Sequence, residues 1–274
     1  VSNQDFMEAF GFRGVQFGNW VNQQERQQSL NETYDALHDL AEILNIPTKA
    51  ISLNGELGLA FGARGSGRAM AHYEPSEVVI NLTKTQGAGS LAHEWFHALD
   101  HYFSRQRGES QSVNREDHYI TYKPEAMYRH KTQMSLGITY AELQRKHKQN
   151  PKSGYFNPEN WQKDPNHPQG VRPVVEKAFA DLVETLNDSP MKKRASALDN
   201  RAEKGYWSSI IEMAARSFEN YVISKMALNG LSNDYLANVK NWEVWQRDGK
   251  NEDRYPYLKP DEEFPIVEAF DNLF

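Results

Sequence analysis

The sequence predicts an α+β fold: a small, mainly antiparallel sheet, an H-E-x-x-H helix, and a helical lobe at the C-terminal end. Short apolar runs separated by turn signals fill residues 50–82, and residues 22–44 and 91–102 carry helical periodicity. Helical patterns return after residue 172, beyond a long polar stretch. The 274 residues therefore read as one domain, 1–274, with an N-terminal lobe at 1–103, a polar insertion at 104–171 and a C-terminal lobe at 172–274.

Residues 1–21 read as an irregular lead-in in which Gly11, Gly14 and Gly18 alternate with aromatics. Leu30, Tyr34, Leu37, Ala41 and Leu44 then recur at three and four, and Asn45-Ile46-Pro47 stops that helix. Residues 50–53, 57–62, 69–73 and 78–82 read as strands, with Asn54-Gly55 and Pro75-Ser76 as turns. The run Gly62-Ala63-Arg64-Gly65-Ser66-Gly67-Arg68 lacks the Gly-Lys-Ser/Thr ending of a phosphate loop and opens no helix, so it reads as a flexible connection. Gly87-Ala88-Gly89-Ser90 supplies a turn with Ser90 as N-cap, and Leu91, Ala92, Trp95, Phe96, Leu99 and Tyr102 make the next helix broadly apolar and therefore buried.

Pro, Asn, Gln and Lys dominate residues 104–170, as suits a long excursion between two helical regions. Helices are expected at 174–186, at 191–204 and from 210 to about 226. The second carries Lys192, Lys193, Arg194, Arg201 and Lys204, read as a solvated basic face. The tail after residue 228 is loop-rich, with aromatics expected to pack back on the body.

A net charge of −6, from 31 Lys and Arg against 37 Asp and Glu, does not indicate nucleic acid as a partner, though local basic patches leave room for it. With no cysteine there is no disulfide framework and no thiolate metal site, which fits a cytoplasmic working place. No apolar run is long enough for a membrane helix, and the first residues carry no secretion signal. A start at Val1 suggests a segment of a longer polypeptide.

His93, Glu94 and His97 form the H-E-x-x-H word. Residues four apart stack on one helical face, so two imidazoles can reach one ion while Glu94 points to the same open side. A catalytic zinc keeps three protein ligands and an open position at which water becomes acidic near pH of about 7, so a third ligand must come from elsewhere. His101 is about 12 Å along the helix from His93, too far for three rings to converge. Phe103 stands where a metzincin would place its third histidine. A gluzincin instead takes a glutamate from a second helix, and on the helix expected from residue 210 Glu212 is the best candidate, with Glu219 as the fallback. Ser209 and Glu212 also fit a capping box, which would make Glu212 a helix-start residue only.

These residues resemble the gluzincin clan of metallopeptidases, lethal-factor catalytic domains among them. There a His-Glu-x-x-His-Ala-hydrophobic-Asp helix is followed downstream by Glu-x-x-Ala-x-x-Phe. His97-Ala98-Leu99-Asp100 and Glu212-Met213-Ala214-Ala215-Arg216-Ser217-Phe218 match that pattern. A second resemblance, to the first class of large polyvalent protein-associated domain found in phage and conjugative-element proteins, rests on three segments within residues 10–105. They are Phe10-Gly11-Phe12-Arg13-Gly14-Val15-Gln16-Phe17-Gly18-Asn19-Trp20, Ser52-Leu53-Asn54-Gly55 with Gly62-Ala63-Arg64-Gly65, and Asn81-Leu82-Thr83-Lys84 through the motif helix. Tyr255-Pro256-Tyr257 and Ala269-Phe270-Asp271-Asn272-Leu273-Phe274 resemble the closing segment of mobile-element zincins. The separation of Glu212 from His97, 212 minus 97 or 115 residues, is long for a gluzincin and is absorbed by the insertion.

The resemblance implies a zincin-like fold and zinc-dependent hydrolysis of a protein or peptide substrate, as part of a larger mobile-element protein delivered into a recipient or host cell. His93, His97 and Glu212 would hold Zn2+, and Glu94 would be the general base. Tyr206 resembles the tyrosine just ahead of the third-ligand helix and would stabilise the oxyanion, or else is a buried structural tyrosine. Asp100 is placed to orient a ligand imidazole. The rival expectation is a zinc-containing binding module that recognises DNA or a host protein without turnover.

Overall fold

Ser2 and Asp5 exchange hydrogen bonds in a capping box that opens helix α1 (Asn3–Phe10), and Gly11 ends it in the left-handed conformation at φ 69°. The expected irregular lead-in is therefore a helix. Phe6 and Phe10, one turn apart, pack with Phe12 and with Tyr34 of the next helix. Eight residues are too few for periodicity to announce it. The computed structural model describes residues 1–18, 23–62, 71–82, 90–109, 112–200 and 205–274. The connection at 63–68, the turn at 87–89, Arg201 and Lys204 lie outside them.

Strand β1 (Val15–Phe17) and helix α2 (Gln23–Ile43) follow, the latter ending at Asn45 with φ 52° as the Asn-Ile-Pro signal predicts. Residues 50–53, expected as a strand, belong to a 3-10 turn at Thr48–Ser52 that Pro47 starts and left-handed Leu53 closes. Ile51 is buried there and its carbonyl accepts the Trp95 indole N–H at 2.9 Å.

Strands β2 (Gly58–Phe61), β3 (Ala71–Glu74) and β4 (Val79–Leu82) complete a four-stranded sheet in the order β1-β2-β4-β3. β1 pairs with β2 and β2 with β4 in parallel; only β3 runs antiparallel, to β4. The sheet is thus mixed where a mainly antiparallel one was expected. The tight turn at 75–78 makes β3 and β4 a hairpin, and it is β4 that lies against β2. Every residue of β2 and β4 is buried, the condition under which parallel strands read as continuous apolar runs. β3 forms the edge.

Helix α3 (Leu91–Gln106) carries the motif and packs on α7 (Ile210–Leu228). Trp95 stacks on Phe218 at 5.8 Å between centroids and Phe96 lies at 5.0 Å from it. Phe270 of α9 (Glu263–Leu273) closes the cluster at 5.5 Å from Phe218. Of the tail aromatics expected to pack back, Tyr255 and Phe270 are fully buried, whereas Phe264 is exposed.

The insertion has structure of its own. Strands β5 (Met127–His130), β6 (Ile138–Thr139) and β7 (Trp161–Lys163) form an antiparallel sheet beside α4 (Tyr140–Gln149). Ile138, Leu143 and Trp161 give it a small separate core. Its first residues instead return to α3, where Ser104 Oγ donates to the Asp117 carbonyl.

Helices α5 (Pro173–Asp188) and α6 (Pro190–Asp199) precede α7. The basic face expected on α6 turns partly inward. Arg194 is buried, bonded to both Glu262 oxygens at 2.5 and 2.7 Å and to the carbonyls of Tyr255 and Tyr257. Lys192 donates to the Ser208 carbonyl. Among the described residues no helix is long and apolar enough to cross a membrane.

Breaking one side of a buried, doubly bonded ion pair leaves an uncompensated charge, worth about 3–5 kcal/mol. Arg194→Met is expected to lower the unfolding free energy by that order in urea titrations. Arg194→Met with Glu262→Leu should recover most of the loss.

Candidate metal centre

Helical geometry puts His93 and His97 one turn apart on α3, and the α3–α7 contact brings the first turn of α7 over them. His93 Nε2 and His97 Nε2 are 3.1 Å apart. Glu212 Oε2 lies 3.4 Å from the first and Glu212 Oε1 3.4 Å from the second. Ligands bound at about 2.0–2.1 Å in a tetrahedral shell stand about 3.3 Å from one another, and each carboxylate oxygen of Glu212 is near that distance from one of the two imidazole nitrogens. His93, His97 and Glu212 together can hold a metal ion.

The bonding around the triangle fits that group. Two ring nitrogens facing each other at 3.1 Å can share one proton, or both can turn their lone pairs to one cation. His97 Nδ1 and Glu212 Oε2 are buried without a hydrogen-bond partner. Burial opposes a charge on His93, yet the carboxylates of Glu212, Glu219 and Glu94 around it override that and raise its pKa to about 10. Burial likewise works against the Glu212 carboxylate, but the two imidazoles hold its carboxyl well below the usual range. The pocket demands positive charge, which a divalent cation supplies by displacing the proton.

Glu219, considered as a fallback ligand, sits one step farther out. Its Oε2 meets His93 Nδ1 at 3.1 Å, the ring nitrogen turned away from the triangle. A carboxylate there fixes the tautomer and orientation of the imidazole. Asp100, expected to do this, is directed elsewhere: fully buried, it accepts from the Thr121 N–H at 2.9 Å and the Thr121 hydroxyl at 2.6 Å. Burial raises its pKa to about 6 against those bonds and the His97 charge. Among the described residues no hydrogen bond joins Asp100 to either imidazole. His101 is outside the triangle, its Nδ1 2.6 Å from the Tyr73 hydroxyl.

Ser209 occupies the N-cap of α7 without a side-chain cap bond, so the capping-box alternative for Glu212 is not formed. Ser90 heads α3 but makes no cap bond either.

Glu94 lines the same cleft of about 490 Å³, and its Oε2 accepts the Tyr73 backbone N–H at 2.6 Å from the edge strand β3. Tyr206 lines it too and is 41% exposed. Burial first, then the charge of Glu212 and a hydrogen bond to it, push its hydroxyl up to about 12, so it stays protonated at neutral pH. The segment carrying Tyr206 is held just beyond that residue, at Trp207 and Ser208. Asp199 accepts from the Trp207 and Ser208 N–H groups, and Arg216 donates to the Trp207 carbonyl while stacking over the Trp207 ring.

Sequence reasoning missed Tyr119, which comes from the insertion, lies 6.0 Å from the His97 ring and lines the cleft. It missed His72 of β3 as well. Neither sits in a motif; for Tyr119 the only sequence signal is an aromatic cluster, Tyr119-Ile120-Thr121-Tyr122, in an otherwise polar stretch.

The two glutamates should separate by metal content. Glu212→Ala removes a ligand and is expected to leave the purified protein empty by elemental analysis. Glu219→Ala should retain the ion with affinity lowered by about 10–100-fold, the usual effect of losing a carboxylate behind a ligand histidine.

No curated protein and no solved structure matches the chain. Residues 198–274 match a family model, described as large polyvalent protein-associated domain 1. The match takes in the α7 helix with Glu212 and Glu219 and the closing segment at 255–274, and it does not extend to residues 10–105, on which the sequence resemblance to that domain rested.

Proposed function

We propose that the chain is a zinc-dependent endopeptidase, with His93, His97 and Glu212 as ligands. The observation that carries the reading is Glu94. It is adjacent to a ligand yet outside the ligand triangle, and its carboxylate faces the same open cleft, anchored by the Tyr73 N–H. A purely structural ion has no use for such a group. A donor set of two histidines and one carboxylate, with no cysteine in the chain, suits a catalytic zinc.

Zinc bound there supplies Lewis acidity, polarising a carbonyl and making hydroxide available near neutral pH. Glu94 takes the proton of the attacking water and passes it to the leaving amine. The Tyr206 hydroxyl, protonated and directed into the cleft, donates to the oxygen on which charge develops. Glu219 keeps His93 turned toward the triangle. The resemblance to mobile-element zincins and the family match support placing this peptidase within a larger phage or plasmid protein that works in the cytoplasm of the cell it reaches.

Glu94→Gln is expected to keep its zinc and to lose peptide hydrolysis by about 10²–10⁴-fold, the range for a general base. The comparison to run is the appearance of new protein N-termini with intact and substituted protein. Equal hydrolysis by both would remove the general-base role of Glu94, and hydrolysis by neither would leave a zinc-containing module that binds DNA or a host protein. Tyr206→Phe should reduce kcat by about 10²–10³-fold with KM little changed.

A further inference from the structure

His93, His97, His101 and Arg105 recur at intervals of four along α3 and so form a single stripe. Its first half is the metal centre. Its second half lines another cavity, of about 700 Å³, with Arg115 and His118 from the turn at Arg115–His118. Tyr119 lines both cavities, so they adjoin. The opposite wall is continuous as well: residues 71–73 of β3 face the metal cleft, and Pro75, Ser76 and Val78 of the following turn face the second cavity.

The two ends of this trough differ in charge. Glu94 and Glu212 line the metal end, with Glu219 behind His93. Among the described residues no carboxylate lines the other end. Arg105 keeps an ion pair with Glu56 at 2.8 Å through Nη2, while its Nε is buried without an acceptor. Arg115 is exposed, and His118 Nε2 meets the Ser112 carbonyl. His101, held by the Tyr73 hydroxyl, has its pKa lowered to about 4 by burial and then by the charges of Arg105 and His118.

We propose that this second cavity is a substrate subsite that takes the carboxylate side chain of an aspartate or glutamate, bound by Arg105 and Arg115. The inference rests on the peptidase reading above. The eight residues from His97 to Arg105 span about 12 Å of helix. An extended peptide advances about 3.3 Å per residue, so the acidic residue stands about three to four positions from the bond that is cut.

The zinc-loaded chain is to be incubated with a proteome-derived peptide library and its products sequenced. Aspartate and glutamate should be enriched at one position, three or four residues from the cleaved bond. A peptide with glutamate there should have kcat/KM about tenfold above its glutamine counterpart, the scale of a charge-assisted hydrogen bond. Arg115→Glu, at an exposed site, and Arg105→Gln paired with Glu56→Gln should abolish that ratio by lowering kcat/KM for the glutamate peptide to that of the glutamine peptide. Equal cutting of both peptides by the unsubstituted protein overturns the subsite and leaves the peptidase reading intact. If no peptide is cut, the peptidase reading fails, and fluorescence anisotropy with the same two labelled peptides decides the subsite. Tighter binding of the glutamate peptide that is lost in Arg115→Glu supports it; equal binding overturns it.

Discussion

Glu212 reaches two imidazoles on another helix because Trp95 and Phe96 of α3 close on Phe218 of α7. Phe218 lies six residues beyond Glu212 and one before Glu219, so the aromatic contact sets the height and rotation at which both glutamates meet the rings. Phe270 packs against the same residue from the closing helix, and through it the end of the chain supports the centre. The metal-binding geometry is thus a consequence of apolar packing behind it.

That packing has to hold a concentration of charge that disfavours folding. Glu94, Glu212 and Glu219 converge on His93, while burial removes the water that would screen them. In the apo protein a proton on His93 offsets part of this repulsion; a divalent cation offsets more. Arg216, buried, within the field of Glu212 and bonded to the carbonyls of Trp207 and Pro256, adds a fixed positive charge and at the same time holds the Tyr206 segment. The same ionic and hydrogen-bonded groups therefore serve stability and position the cleft.

The insertion divides into two parts with different roles. Residues 127–163 make a small sheet and helix with their own core. Residues 112–122 belong to the centre: Thr121 satisfies the buried Asp100, and Tyr119 stands against the His97 ring. Asp100 thereby ties the insertion to the motif helix, a structural use of a carboxylate that motif comparison assigns to an imidazole.

His93, Glu94 and His97 are legible in the sequence because their spacing is that of a helix, and so are α2, α5 and α7, whose periodicity runs for many turns. The capping-box alternative for Glu212 is set aside by the missing Ser209 cap bond and by its carboxylate lying against both imidazoles. Local pattern could not separate the roles of Glu219 and Asp100, since each is an acid at helical spacing from a ligand or its partner. Which one faces His93 depends on how α7 is rotated and on where Thr121 enters. The sheet order escaped for the same reason: period-2 runs identify strands, but whether β2 lies beside β3 or β4 is decided by which pair buries its apolar faces. The sequence alone determined the long periodic helices and the chemistry that local spacing can encode; the tertiary structure decided the short elements and every pairing across more than a few turns, because those are chosen by packing of the whole chain.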